Sequence, residues 1–275
     1  MKLNRIIQTK KGSIDLRQKT AVMGILNITP DSFSDGGKYN HIDQAVGKAI
    51  LMESQGADII DVGGESTRPG YTPVSEEEEI ERVIPVIERI NKEVSIPISI
   101  DTFKEKTAKY AVEAGADIIN DVWGARREPE IATVASKYNV PIILMHNREQ
   151  EKYKQFLPDV IKDLEESIRI AMNKGVPTNQ IILDPGVGFA KSVEQNILVM
   201  QGLDELLQLG YPILLGTSRK SMIGKILDLP VDQRDEGTGA TTCYGIMKGI
   251  DLIRVHNVEL NVRMARMMDV LVGKG

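Results

Sequence analysis

The sequence predicts a (β/α)8 barrel, and three observations predict it. First, eight short runs rich in Ile, Val and Leu recur along 275 residues, each nearly continuous in apolar character. Strands buried on both faces of a parallel sheet read this way. Second, helical patterns separate the runs, and seven of the eight are clearly followed by one. Third, Gly56-Ala57-Asp58-Ile59-Ile60 returns as Gly115-Ala116-Asp117-Ile118-Ile119, with a looser echo at Gly249-Ile250-Asp251-Leu252-Ile253. In each copy a helix would end at Gly and pass directly into a strand, which is an αβ joint. Eight such units in about 250 residues match a closed barrel. An open doubly wound sheet is the alternative, and the lack of a dinucleotide-binding fingerprint weighs against it.

In chain order, residues 1–20 are polar and alternating (IDLRQKT) and predict an N-terminal extension, a hairpin or lid under one barrel domain spanning 1–275. The strand runs begin at Ala21, Ala57, Pro97, Ala116, Pro141, Gln180, Pro212 and Asp251. Ser75 and Glu78 have capping-box spacing. Ile80, Val83, Ile84, Ile87 and Ile90 then recur at helical spacing. The four glutamates 76–79 read as a solvated first turn that favours the helix dipole. Pro85 predicts a kink or break in that helix. Another helix is expected to begin near Pro158, with Val160, Leu164, Ile168 and Ala171 on its buried face.

At 41% hydrophobic and 27% charged residues the composition is globular, which excludes disorder. A net charge of −5 supplies no basic footprint for nucleic acid. The single cysteine, Cys243, excludes an intrachain disulfide and a Cys-based zinc site, and its helical context suggests a packed thiol. No apolar leader and no run of about 18 apolar residues is present, so a cytoplasmic, non-membrane protein is expected.

Barrel chemistry sits at the C-terminal strand ends. Each run here ends in polar groups: Asn27; Gly63 to Arg68; Asp101; Asn120 and Asp121; Met145, His146 and Asn147; Asp184; Thr217 to Ser221; and Arg254 with His256. Arg68, Arg219, Lys220, Arg254 and His256 come from strands two, seven and eight, and strands one, two, seven and eight are neighbours in a closed barrel. This local cationic quadrant suits a phosphate or diphosphate, unless the cations pair internally with Glu65, Asp61 or Asp121. Asp101, Asn120 and Asp184 form a second group. They are an acid/base pair with an amide, acceptors for a flat ligand rich in N–H groups, or caps of the following helices. The segments from Thr29 to Tyr39 and from Ser66 to Ser75 are long enough for lids, and Asp35 in the first is either solvated or brought to the reacting centre. No P-loop, GxSxG or HExxH occurs, so hydrolysis through a protein nucleophile has no support.

GILNITPDSFSDGG (24–37), IIDVGGESTRPG (59–70), SIDT (99–102), INDVWG (119–124), LMHN (144–147), ILDPGVGFAKS (182–192), LLGTSRKS (214–221), EGTGATT (236–242) and IRVHNV (253–258) together resemble the bacterial dihydropteroate synthase family of pterin-binding barrels. The resemblance covers the chain from about residue 20 onward. It implies condensation of 6-hydroxymethyl-7,8-dihydropterin diphosphate with p-aminobenzoate, with Mg²⁺ as cofactor and a homodimer as the assembly. It further implies that Asp101, Asn120, Val122, Met145, Asp184, Phe189, Gly216 and Lys220 hold the pterin. Asn27, Thr67, Arg68, Arg254 and His256 would hold the diphosphate, with Asn27 touching Mg²⁺. Phe33, Thr67, Pro69, Phe189 and Ser221 would form the p-aminobenzoate pocket. Asp35, Lys220, Arg254 and His256 would be catalytic, with Asp35 stabilising a carbocation at C9 in a dissociative displacement. Met222 departs from the Phe that many members carry there. Two rivals are a methyltetrahydrofolate-binding methyltransferase barrel, which lacks the diphosphate cations, and a silent pterin-binding paralogue, which should have lost Asp35 or Gly36-Gly37.

Overall fold

A computed structural model describes residues 5–28, 38–65 and 74–274. It opens with an antiparallel hairpin, β1 (Ile6–Thr9) and β2 (Gly12–Asp15). Eight strands follow: β3 (Ala21–Asn27), β4 (Ile59–Gly63), β5 (Ile98–Asp101), β6 (Ile118–Asp121), β7 (Ile142–Met145), β8 (Ile181–Asp184), β9 (Leu214–Leu215) and β10 (Leu252–Val255). They pair in parallel in the order β8-β7-β6-β5-β4-β3-β10-β9. A parallel bridge between Leu183 and Ile213 joins β8 to β9 and closes the ring. All eight expected runs are strands, and the closed barrel replaces the open sheet.

Each of the eight barrel strands is followed by helix. The helices are α1 (Lys38–Ser54), α2 (Glu76–Glu93), α3 (Glu105–Ala114), α4 (Glu130–Tyr138), α5 (Phe156–Asn173), α6 (Val193–Gln201), α7 (Leu203–Leu207), α8 (Ser221–Leu227), α9 (Asp235–Lys248) and α10 (Val258–Leu271). The three repeated Gly–strand joints have φ of +95° at Gly56, +120° at Gly115 and +100° at Gly249, as a C′ position requires. The expected face of α5 is buried at Val160, Leu164, Ile168 and Ala171. Among the described residues no helix is long and apolar enough to cross a membrane.

Two helical expectations need correction. Ser75 does cap α2, its Oγ accepting from the Glu78 N–H at 3.1 Å. The helix then runs unbroken past Pro85, because Val83, Val86, Ile87 and Ile90 bury one face and outweigh one lost backbone bond. The four glutamates are not all solvated. Glu79 is 1% exposed and accepts from Thr107 Oγ1 at 3.0 Å and Thr102 Oγ1 at 3.2 Å, with Lys104 Nζ 3.2 Å away. Burial raises its pKa, and Lys104 opposes the rise. Lys104 also bonds Glu65 and the Val74 carbonyl.

The strand period of two sets the layering. Met23, Ile59, Ile118, Ile143, Ile182, Leu214 and Leu252 meet inside the lower barrel, and Ile7, Ile14 and Leu16 of the N-terminal segment close it from below. Two residues further along six of these strands stand Asp61, Asn120, Met145, Asp184, Gly216 and Arg254. An apolar floor therefore carries a storey at the mouth that holds four polar groups, Asp61, Asn120, Asp184 and Arg254. The remaining core lies between the strands and the helices.

Candidate active site

Arg254 organises the polar storey. From the end of β10 its Nε donates to Asp61 Oδ2 and its Nη2 to Asp101 Oδ2, both at 2.6 Å. Asn120 Nδ2 donates to the same Asp61 oxygen at 3.1 Å. Asp61 is fully buried and Asp101 is 6% exposed. Burial works against the guanidinium charge, but Asp61 and Asp101 outweigh it and hold Arg254 protonated far beyond its ordinary range. Burial raises the Asp101 pKa, and Arg254 only partly offsets this. Asp61 Oδ1 and Asp101 Oδ1 are buried without a hydrogen-bond partner among the described residues. Buried acceptors are normally satisfied, so two bare carboxylate oxygens at one strand-end rim mark it as a candidate site.

Across the mouth stand Asp184 and Lys220. Asp184 accepts from the Gly186 N–H at 2.7 Å, and burial raises its pKa against the pull of Lys220. Lys220 donates to the Val187 carbonyl, and its Nζ lies 4.3 Å from the centre of the Phe189 ring. Burial lowers the Lys220 ammonium to about 8, and Asp184 opposes the fall. Burial thus moves both groups toward neutrality, the carboxylate upward and the ammonium downward.

A cavity of about 240 Å³ opens beside this group. Asn27, Phe189, Gly216, Lys220, Ser221, Arg254 and His256 line it. Ser218 orients His256, accepting from its backbone N–H at 3.1 Å and lying 2.9 Å from its Nδ1. Gly216 keeps the wall thin: an added Cβ would lie 3.6 Å from Asp184 Oδ2 and 3.9 Å from Arg254 Cβ. Seven of the residues that the family resemblance assigns to substrate therefore meet at one opening. Asp101, Asn120, Val122, Met145 and Asp184 are buried at the strand ends beside it. Phe33, Asp35, Thr67, Arg68 and Pro69 lie outside the described residues.

Some strand-end groups serve the scaffold. Arg219 lines the same cavity as Lys220, Arg254 and His256, as the cationic quadrant predicts, but its guanidinium is committed to Asp235 through Nε–Oδ1 at 2.8 Å and Nη2–Oδ2 at 3.0 Å. Asp121 turns its own loop, accepting from Trp123 N at 2.8 Å and Ala125 N at 2.6 Å. His146 points away from the mouth, towards Asp163 and Lys191. Asp61 appeared in the sequence only as a competing partner, yet it anchors both Arg254 and Asn120. Its place two residues beyond inward-facing Ile59 was the available signal.

Among the described residues no cluster of three or more His, Cys, Asp or Glu side chains can hold a metal ion. A metal caged by protein carboxylates or imidazoles does not fit there. Mg²⁺ characteristically keeps several waters and shares its shell with substrate phosphates, needing one or two protein oxygens. The Asn27 side-chain oxygen, in the same cavity lining as Arg254 and His256, fits that demand.

Residues 23–256 match the family model described as pterin binding enzyme. A dihydropteroate synthase from Bacillus subtilis (strain 168) is 57% identical over 271 residues, covering 98% of this chain and 95% of that protein. The dihydropteroate synthase of Clostridium difficile, solved in the presence of pteroic acid, superposes with a TM-score of 0.92 at 50% identity, covering 94% of this chain and 98% of that one. The Xanthomonas albilineans enzyme, solved with 4-aminobenzoic acid, gives 0.93 at 38% identity, covering 98% of both chains.

Proposed function

The chain belongs to the pterin binding enzyme family, in its dihydropteroate synthase branch, and from that premise we propose how its barrel mouth performs the condensation. The substrates are 6-hydroxymethyl-7,8-dihydropterin diphosphate and p-aminobenzoate; the products are 7,8-dihydropteroate and diphosphate. The observation that carries the site assignment is the ring of buried acceptors, with Asp101 Oδ1 bare and Asp184 opposite it.

The 2-amino-4-oxo edge of a dihydropterin offers two adjacent N–H donors, and a buried carboxylate can accept both. Hydrogen bonds to such a charged acceptor contribute about 1.5–3 kcal/mol each. Asp184 and Asn120 complete the recognition of the ring edge, and the Lys220 ammonium donates to its carbonyl and ring-nitrogen side. Val122, Met145, Phe189 and Gly216 bound the ring faces.

The diphosphate lies towards Asn27, Arg254 and His256, with Thr67 and Arg68. Two Arg254 nitrogens are engaged by Asp61 and Asp101, which leaves Nη1 for a phosphate oxygen. Fixed cations stabilise the leaving group as its charge develops, without reorganising. Mg²⁺, held by Asn27 and the diphosphate itself, would supply further neutralisation of that charge. The C9–O bond breaks with both electrons going to the diphosphate, and the electron-rich dihydropterin ring spreads the positive charge left on C9. Asp35 stabilises that cation. The p-aminobenzoate amine, held by Phe33, Thr67, Pro69, Phe189 and Ser221, attacks C9 and then loses a proton. No protein nucleophile is required, which accounts for the missing nucleophile motif. A homodimer and a cytoplasmic location complete the proposal.

Diphosphate release from the purified chain tests it, with pterin products identified by mass. Dihydropteroate should form only when both substrates and Mg²⁺ are present. Saturable pterin binding without product would favour the silent-paralogue alternative, and no pterin binding would overturn the site.

A pH profile of kcat/KM for the dihydropterin diphosphate should be bell-shaped. Ionised Asp101 and Asp184 accept the pterin N–H groups, so activity falls on acidification, and burial moves that limb above the ordinary carboxylate range. Protonated Lys220 donates, so activity falls as pH rises past about 8. In Lys220→Arg the alkaline limb should move upward, because guanidinium stays charged. An alkaline limb unmoved in that variant would remove Lys220 from the assignment.

A further inference from the structure

The loop between β8 and α6 carries Val187, Gly188 and Phe189 to the mouth, and a buried chain of groups that the reaction does not use holds it from behind. Lys191 Nζ donates to the carbonyls of Gly186 at 2.9 Å and Phe189 at 3.0 Å, and lies 2.8 Å from His146 Nδ1. Three acceptors thus meet the three N–H bonds of one ammonium. Lys191 is 6% exposed and His146 1%. Burial lowers the Lys191 ammonium to about 7, a shift that Asp184 opposes. Burial also pushes His146 down to about 4, so its ring is neutral. Because Nδ1 accepts from Lys191, the proton sits on Nε2, which faces Asp163 Oδ2 at 3.2 Å. Asp163 also accepts from Arg148 Nε at 2.6 Å and pairs with Arg126 Nη1 at 3.1 Å. The chain therefore ties together the loops that follow β6, β7 and β8.

The loop needs such a hold. Gly186 and Gly188 have φ of +67° and +84°, and Ala190, which has a Cβ, sits at +44°. A left-handed non-glycine residue costs about 1–3 kcal/mol and persists only where its surroundings over-determine it. A Cβ on Gly186 would overlap the His146 carbonyl oxygen, and one on Gly188 would come 2.7 Å from Lys220 Cδ. Asn196 Oδ1 takes the Gly188 N–H at 2.6 Å, and the Tyr153 hydroxyl donates to the Ala190 carbonyl at 2.8 Å.

We propose that Lys191, seated on His146, is a positioning residue that staples the 186–190 loop so that Phe189 and the Val187 carbonyl meet Lys220 in the geometry the second substrate requires. This rests on the assignment of the mouth to a pterin and p-aminobenzoate. Lys191→Met keeps the length and removes all three donors. It should raise KM for p-aminobenzoate by about tenfold or more while kcat at saturation falls less than about threefold, since a displaced wall is felt first in binding. His146→Leu should do the same. His146→Asn, whose side-chain oxygen can replace Nδ1 as acceptor, should stay within about threefold of the parent. The Lys191→Met/His146→Leu double variant should be no worse than the worse single, because one chain is cut twice. Amide hydrogen exchange at residues 186–190 of the substrate-free protein should rise in both single variants.

A folded Lys191→Met with parental KM and parental loop protection overturns the proposal. So does His146→Asn as impaired as His146→Leu. If Lys191→Met does not fold, His146→Leu decides: raised KM and exchange support the staple, and parental values overturn it. If the parent chain itself makes no dihydropteroate, the assigned reaction fails, and loop exchange alone then decides the staple.

Discussion

Arg254→Met is expected to cost about 3–5 kcal/mol of stability, because removing one partner of a buried ion pair leaves charge uncompensated. Asp61 has no exposed side-chain surface and Asp101 has 5%, so neither carboxylate can turn to water for relief. Asp101 can escape part of the penalty by taking a proton. The destabilisation should therefore be larger at pH 8 than at pH 6. Relative to the parent, the variant binds an extra proton on folding, so its stability falls as pH rises. Turnover should drop by about 10²–10³ or more, the usual cost of one preorganised donor to a developing anion. Urea melts at two pH values and product assays measure both effects. Adding Asp61→Asn removes one orphaned charge and should recover part of the stability but none of the activity. An Arg254→Met chain with the parental urea midpoint at pH 8 would show that the Asp61–Arg254–Asp101 bridge does not hold in solution.

Lys220→Met should separate activity from stability in the opposite sense. Its ammonium is held at about 8 in the folded chain against 10.5 for an unperturbed lysine. In the window between those values the unfolded chain binds the extra proton, so the lysine's contribution to stability rises with pH there and is least favourable below about 8. Replacing it with an apolar side chain of similar length removes that cost at pH 7. It also leaves the Val187 carbonyl without its donor and Asp184 without a nearby positive charge, so the two changes offset each other. The urea midpoint should stay much nearer the parent than in Arg254→Met, while kcat/KM for the dihydropterin diphosphate falls by about 10²–10³. If Lys220→Met melts like Arg254→Met yet turns over normally, Lys220 serves the scaffold and not the substrate.

The architecture was legible because it is written in local periodicity. Eight apolar runs, the Gly-terminated helices and the Ser75 cap each follow from rules that span fewer than about twenty residues. The polar strand ends were legible for the same reason: a run such as ILD or IIND states its own change of character. The family motifs added the substrates, since they carry strand end and loop together. Pairing was not legible, because it depends on register and closure around the ring. Arg219 and Lys220 are adjacent in sequence and line one cavity, yet Arg219 is paired with Asp235 on α9 while Lys220 bonds the Val187 carbonyl beside Phe189. Glu79 looked like the three glutamates before it until the start of α3 placed Lys104 and Thr107 against it. Asp61 became the anchor of the site only when the pairing of β10 with β3 brought Arg254 within reach of β4, 193 residues away along the chain. His146 and Lys191, 45 residues apart, met only because their strands are neighbours in the barrel. Local pattern sets which groups reach the mouth; their charge states and partners come from burial and from contacts between distant strands, which only the closed ring creates.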